Sequence, residues 1–200
     1  TNLSTIILAS ESKYKKAVLE KLQIPFTCIA PRIDETALEN EHPKDLVNRL
    51  AKIKARTIAE SHPNCYIIAA DQVACFNDQI LGKPGNKENA FQQLQLFSGN
   101  RVDFITGLAV VSPQHGHPFQ LTETFSVQFK TLSVSEINAY IEKEEPLGCA
   151  GSFKSEGLGI LLFEKLIGRD PNSLIGLPLI GLRELFEQAG INLLTETARS

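Results

Sequence analysis

Methionine and tryptophan are absent from this 200-residue chain, and only four cysteines and four histidines are present. The cysteines (Cys28, Cys65, Cys75 and Cys149) stand apart and form no C-x-x-C pair, a spacing that argues against a disulfide framework. Three of them lie in apolar segments, where a reduced cysteine serves as a small core residue. His115 and His117 flank a glycine in PQHGHP, and no H-E-x-x-H or similar ligand spacing occurs, so they are assigned to a loop. The lack of methionine, a starting one included, suggests that the chain begins inside a longer one.

Long apolar runs are missing too. None approaches the ~20 residues that a bilayer-crossing helix needs, and the first residues lack the charged-then-apolar layout of a signal peptide. A cytoplasmic protein without a membrane partner is expected. The net charge of −3 and pI near 5.8 argue against a surface built for long nucleic acid or anionic lipid. A small anionic ligand needs only a local basic pocket, which mild acidity permits.

What is present is 42% hydrophobic residues, enough to bury a sizeable core. The pattern alternates short apolar runs with helical periodicity, without repeats or linkers, and predicts one mixed α/β domain over 1–200. Strands are predicted at 3–9, 25–30 and 65–70, with helices over 12–22 and 43–61. Residues 73–76 and 79–81 suit a hairpin around Asn77-Asp78, followed by a helix over 86–97. Two long strand-like runs, 101–111 and 120–131, flank the Pro- and Gly-rich turn 112–118 and read as antiparallel. Ser135 is expected to cap a helix to about Lys143, and a last helix follows GLP (176–178) as far as Gly190. Between them lies the glycine-punctuated loop GCAGSFKSEGLG (148–159).

One residue breaks the pattern. CYIIAADQVACF (65–76) is almost wholly apolar, yet Asp71 sits in its middle, and an isolated carboxylate is costly to bury. Two lysines are anomalous in the same way. On a helical wheel Lys54 falls near the centre of the stripe formed by Val47, Leu50, Ala51 and Ile58, with Arg49, Lys52 and Arg56 opposite. A lysine can snorkel from such a face, but at mid-helix an inward Lys54 that holds an anion is favoured. Lys15 shares a face with Val18, Leu19 and Leu22, though in a first turn it reaches solvent easily. Ser10 and Ser12 precede that helix, where free N–H groups and hydroxyls suit either a phosphate or an ordinary N-cap.

Glu35 in RIDET and Lys83 in ILGKPG leave predicted strand ends, where α/β sheets often bind ligands. Each alone is more often a solvated loop charge. Carboxylates among lysines, without a histidine or cysteine motif, suit metal-assisted phosphoryl chemistry: carboxylates hold a hard Mg²⁺ or Mn²⁺ ion and lysines neutralise phosphate oxygens. One carboxylate can also deprotonate the attacking water. A structural Lys54–Asp71 salt bridge would explain the same residues.

In order along the chain, IILASESKYKKAVLEKLQIPF, IDET, LAKIKA, AADQV, ILGKP, LFSG, TGLAVV, EPLGCAGSFKSEGLGI and GLPLIGLRELF resemble the landmarks of the Maf family of nucleotide pyrophosphatases. The resemblance implies a single elongated α/β domain, with a central mixed sheet flanked by helices and two lobes around a cleft, as in inosine-triphosphatase-like proteins. It also implies cytoplasmic hydrolysis of a nucleoside triphosphate to the monophosphate and pyrophosphate, a divalent cation, and often a homodimer. DQV and GSFKSEG resemble the branch that acts on 7-methyl-GTP. Carried over by position, Asp71 is the proton acceptor, while Glu35, Lys54 and Lys83 serve metal and phosphates, the metal falling to Glu35 and Asp71. Tyr14, Gln72 and Glu156 fall where the family sets base specificity. An ionised Glu156 would accept from a guanine edge, and Tyr14 could stack on a cationic 7-methylated base.

The chain departs from the family pattern at Lys13, Tyr14, Lys15 and Lys16. There the family usually carries arginines after a Ser-Pro-like step, and lysine lacks the fork that grips phosphate in two places. A looser phosphate grip is therefore expected. The nearest competing reading is the same reaction on another modified nucleotide; a nucleotide-binding regulator of cell division, without required turnover, is the competitor from another class, and it would not need the acid pair.

Overall fold

The computed structural model describes residues 5–146 and 157–196. A mixed seven-stranded sheet is flanked by helices: the α/β class agrees with the sequence pattern, and the central mixed sheet with what the family resemblance implies. Its strands are β1 (Ile6–Leu8), β2 (Phe26–Cys28), β3 (Tyr66–Phe76), β4 (Gln79–Leu81), β5 (Arg101–Val111), β6 (Phe119–Phe129) and β7 (Phe163–Ile167). They lie in the order β2-β1-β3-β5-β6-β7, with β4 on β3. The pairs β1–β2 and β1–β3 are parallel, whereas β3–β4 and β6–β7 are antiparallel. The helices are α1 (Lys13–Glu20), α2 (Pro43–Ser61), α3 (Lys87–Phe97), α4 (Val134–Glu144), α5 (Leu179–Gln188) and α6 (Leu193–Glu196).

The chain divides into two compact units, 1–71 with 106–123 and 176–200, and 72–105 with 124–175. In the first, Ile7 of β1 and Ala9 just after it, Ala51, Ala55 and Ile58 of α2, and Ile67 form an apolar cluster. The run of alanines keeps α2 close to the strands. At Gly107 of β5 a Cβ would lie 2.3 Å from the Val47 carbonyl oxygen, so only glycine permits this approach. Asn48, next along α2, is held by β6: its carbonyl accepts from the Gln120 amide at 3.0 Å, and its side chain from the Thr122 hydroxyl at 2.8 Å.

The second unit has its own core, built on Leu94 and Phe97 of α3, Phe104, Phe129, and Ile137 and Ile141 of α4. The expected hairpin is present. Asn77 and Asp78 both take positive φ (50° and 62°), the left-handed turn conformation that these two residue types tolerate best among non-glycines.

Three local readings change. β3 runs unbroken through Asp71 to Phe76, where the sequence predicts a stop at 70. The cap of α4 is Ser133, not Ser135: its hydroxyl accepts the Glu136 N–H, and the Glu136 carboxylate returns to the Ser133 N–H, a reciprocal pairing closed to Ser135. Cys28 is exposed, whereas Cys65 is half-buried and Cys75 is buried. Burial raises the pKa of the Cys75 thiol, as befits a packing residue rather than a nucleophile. Cys149 and most of the loop 148–159 lie outside the described residues.

Candidate active site

α2 begins at Pro43, whose fixed φ suits a first helical position, after His42 accepts the Lys44 N–H through Nδ1. Three turns on, Lys54 points from its apolar face towards β3, and its side chain is only 11% exposed. The Lys54 ammonium lies 2.8 Å from Asp71 Oδ1 and 2.9 Å from Glu35 Oε1. The two acids differ in setting. Asp71 is buried in β3, whereas Glu35, on the irregular segment between β2 and α2, is 58% exposed.

Burial pulls Lys54 towards neutrality, but the carboxylates of Asp71 and Glu35 outweigh it, and its pKa lies above the ordinary lysine value. A cation is thus fixed where two carboxylates converge, which answers the anomaly of both Asp71 and Lys54.

Lys15 joins the same neighbourhood. Its ammonium donates to the carbonyl of Ala70, the residue before Asp71, at 2.9 Å. Gly176, at φ 108°, leaves room for it: a Cβ there would come within 3.1 Å of Lys15 Cε. Ser12 is the N-cap of α1 and its hydroxyl accepts the Lys15 N–H, while the Ser10 hydroxyl accepts the Ser12 N–H. The Ser12 hydroxyl thus plays the ordinary capping role and that of Ser10 closes a local turn before it, and each keeps a proton to donate. Tyr14 is half-buried, with the Lys13 ammonium 5.3 Å from its ring centroid.

Lys83 and Gln72 belong to the second unit. Lys83 is exposed between β4 and α3, beside a shallow recess shared with Pro84, Asn89 and Gln93. The Gln72 side-chain amide donates to the Ser173 carbonyl, which orients its nitrogen. Glu156 lies outside the described residues.

The donor set bears on a metal. Among the described residues no group of three or more His, Cys, Asp and Glu side chains is placed to hold one. Asp71 and Glu35 each turn one oxygen to the Lys54 ammonium, and two carboxylates beside it are the donor type that a hard cation of the Mg²⁺ kind takes, with water and phosphate oxygens completing its shell.

One element of this region has no counterpart in the sequence reading. Arg49, placed there on the outer side of α2, grips Glu41 in a two-pronged pair, Nε to Oε2 at 2.7 Å and Nη2 to Oε1 at 2.9 Å. Nothing periodic marks an acid eight residues before an arginine when a loop intervenes.

The family model described as Maf-like protein matches residues 5–189. The chain belongs to the Maf family. Two curated relatives cover nearly all of it. A protein of Pseudoalteromonas translucida (strain TAC 125), named 7-methyl-GTP pyrophosphatase, is 52% identical over 190 residues, spanning 95% of this chain and 94% of the relative. One of Colwellia psychrerythraea (strain 34H), with the same name, is 50% identical over 197 residues, spanning 98% of each. Among solved structures, the Ham1 protein of Staphylococcus aureus aligns over 94% of this Maf chain and all of its own, with a TM-score of 0.52 at 15% identity, a likeness of fold. Among the described residues no helix is long and apolar enough to cross a membrane.

Proposed function

We propose that this Maf protein is a nucleoside triphosphate pyrophosphatase that hydrolyses 7-methyl-GTP to 7-methyl-GMP and pyrophosphate. The observation that carries the reading is Lys54, half-buried and held by both Asp71 and Glu35, with the Lys15 ammonium on the carbonyl of Ala70 beside Asp71. The names and near-full-length identity of the two curated relatives support the substrate.

In this reading the Asp71 carboxylate accepts a proton from water, whose oxygen attacks the α-phosphorus; the bond from that phosphorus to the α,β-bridging oxygen breaks, and pyrophosphate leaves with that oxygen. Lys54 holds Asp71 in place and offsets the negative charge that builds on the phosphate oxygens. Lys15, with Ser10, binds phosphate at the opening of α1, where helix N–H groups and dipole favour an anion. Lys83 is assigned to phosphate from its place in ILGKP. Glu35 and Asp71 would hold a divalent cation, which when bound supplies charge neutralisation for the phosphates and acidifies water.

Base selection falls to Tyr14, Gln72 and Glu156, assigned from the family resemblance. A cytoplasmic setting, a homodimer and a single functional domain over 1–200 belong to the same reading.

The test is pyrophosphate release by purified protein from 7-methyl-GTP, GTP, ATP, dTTP and UTP, with Mg²⁺, Mn²⁺ or chelator. Metal-dependent release confined to 7-methyl-GTP is expected. Binding of a nucleotide without release from any would replace this reading with the regulator.

A further inference from the structure

Glu35 poses a problem of placement. The segment from Ile29 to His42 that carries it is itself neither helix nor strand, and more than half of the Glu35 side chain is exposed. An exposed ion pair holds such a loop weakly by itself. Something else must fix the Glu35 carboxylate 2.9 Å from Lys54.

The contacts on either side of Glu35 supply that support. The Asp34 carboxylate accepts the Thr36 N–H at 2.9 Å, and Arg49 Nη2 donates to the Thr36 carbonyl at 3.1 Å. Arg49 also forms the two-pronged pair with Glu41, whose side chain is 8% exposed. Glu41 Oε1 in turn accepts the Leu38 N–H at 3.0 Å, and its own N–H donates to the Leu38 carbonyl. Residues 34, 36, 38 and 41 are thereby tied into one network whose anchor is a side chain of α2. The same helix carries Lys54, five residues on, so loop and ammonium share a single rigid support.

We propose that Arg49 and Glu41 are a positioning pair for Glu35, fixing the loop 34–41 so that its carboxylate meets Lys54. The inference rests on the reading of Glu35 as a residue that faces metal and phosphate. Arg49 acts through Glu35. Lysine at 49 would keep the charge but lose the planar fork that spans Glu41 and Thr36 together.

The experiment is a double-variant cycle of Arg49→Lys and Glu35→Gln, read as kcat/KM for 7-methyl-GTP, with amide hydrogen exchange as a second readout. Glu41→Gln serves in place of Arg49→Lys if that protein does not fold. Misplacing a catalytic group by about 1 Å costs up to roughly a hundredfold, so Arg49→Lys alone should lose on the order of 10- to 100-fold. In the Glu35→Gln background it should lose less than about twofold more, because the group it positions is already gone. Exchange should quicken at residues 34–38 while the α2 amides keep wild-type protection.

Losses that multiply in the double variant, or exchange that quickens equally along α2, would overturn the positioning role and leave Arg49 as a fold residue. A Glu35→Gln protein as active as wild type would instead remove the reading of Glu35, and the proposal with it. An Arg49→Lys protein of full activity beside an impaired Glu35→Gln protein would sink the pair alone.

Discussion

Gly107 and Val47 meet so closely that a side chain on the glycine would have its first carbon 2.3 Å from the Val47 carbonyl oxygen and 2.5 Å from its carbonyl carbon. The obstruction is backbone and cannot rotate away. Gly107→Ala must therefore move α2 or β5, at an expected cost of about 1–3 kcal/mol or more. For a chain of this size each kcal/mol lowers Tm by roughly 2–4 °C. Thermal unfolding checks it, and an unchanged Tm would mean that the approach is looser than described.

Asp71→Asn separates the chemical role from the structural one. Loss of a general base typically costs 10²–10⁴-fold in rate, so kcat should fall by about that range while nucleotide affinity persists. Stability should change little, because Glu35 still pairs with Lys54. Stopped turnover beside a retained Kd is the expected pattern. Full turnover with a large fall in Tm would make Asp71 a structural acid.

The pair Arg49–Glu41 sets a pH window. Its hydrogen bonds to Arg49 and the Leu38 N–H hold the Glu41 pKa down to about 2, from an ordinary value of 4.5. A depressed carboxylate contributes stability that is complete above its unfolded pKa and is lost as pH falls through the folded one. The Tm difference between wild type and Glu41→Gln should stay constant above about pH 5, then narrow towards pH 2. A difference that grows on acidification would contradict the pairing.

Lys15→Arg tests the departure from the family pattern. Lys15 already donates to the Ala70 carbonyl. A guanidinium has donors enough to keep that bond and add one to phosphate. One added hydrogen bond to a charged group is worth about 1.5 kcal/mol, so the apparent KM for 7-methyl-GTP should fall by up to roughly tenfold. An unchanged or raised KM would mean that the missing guanidinium fork does not loosen the grip on phosphate.

The ion pair at the heart of the site is legible in the amino-acid sequence. A carboxylate in an apolar strand and a lysine on an apolar helix face each need a partner, and here they are each other's. The length of β3 is not legible there, because aspartate is a poor strand former and marks a false end; only pairing within the sheet, with β1 over 66–68, with β4 over 74–76 and with β5 as the neighbour across from β1, carries the strand through. Ser133 and Ser135 are equally good caps by composition, and the position of Glu136 decides between them. Arg49 is hidden for a different reason. Helical periodicity says which side of α2 it occupies, but not that a loop returns to cover that side.

The anchoring of α2 at Val47 and Asn48 carries a last consequence. Lys54 sits within two turns of that anchor, so its charge is aimed when the chain folds and not when a ligand arrives. Water would have to turn its dipoles towards a phosphate at each encounter; a charge fixed on a docked helix does not. Stability and rate are then two readings of one quantity here. Variants that loosen α2 from β5 and β6 should slow the reaction in step with their loss of stability, leaving little room for a faster, floppier form of this enzyme.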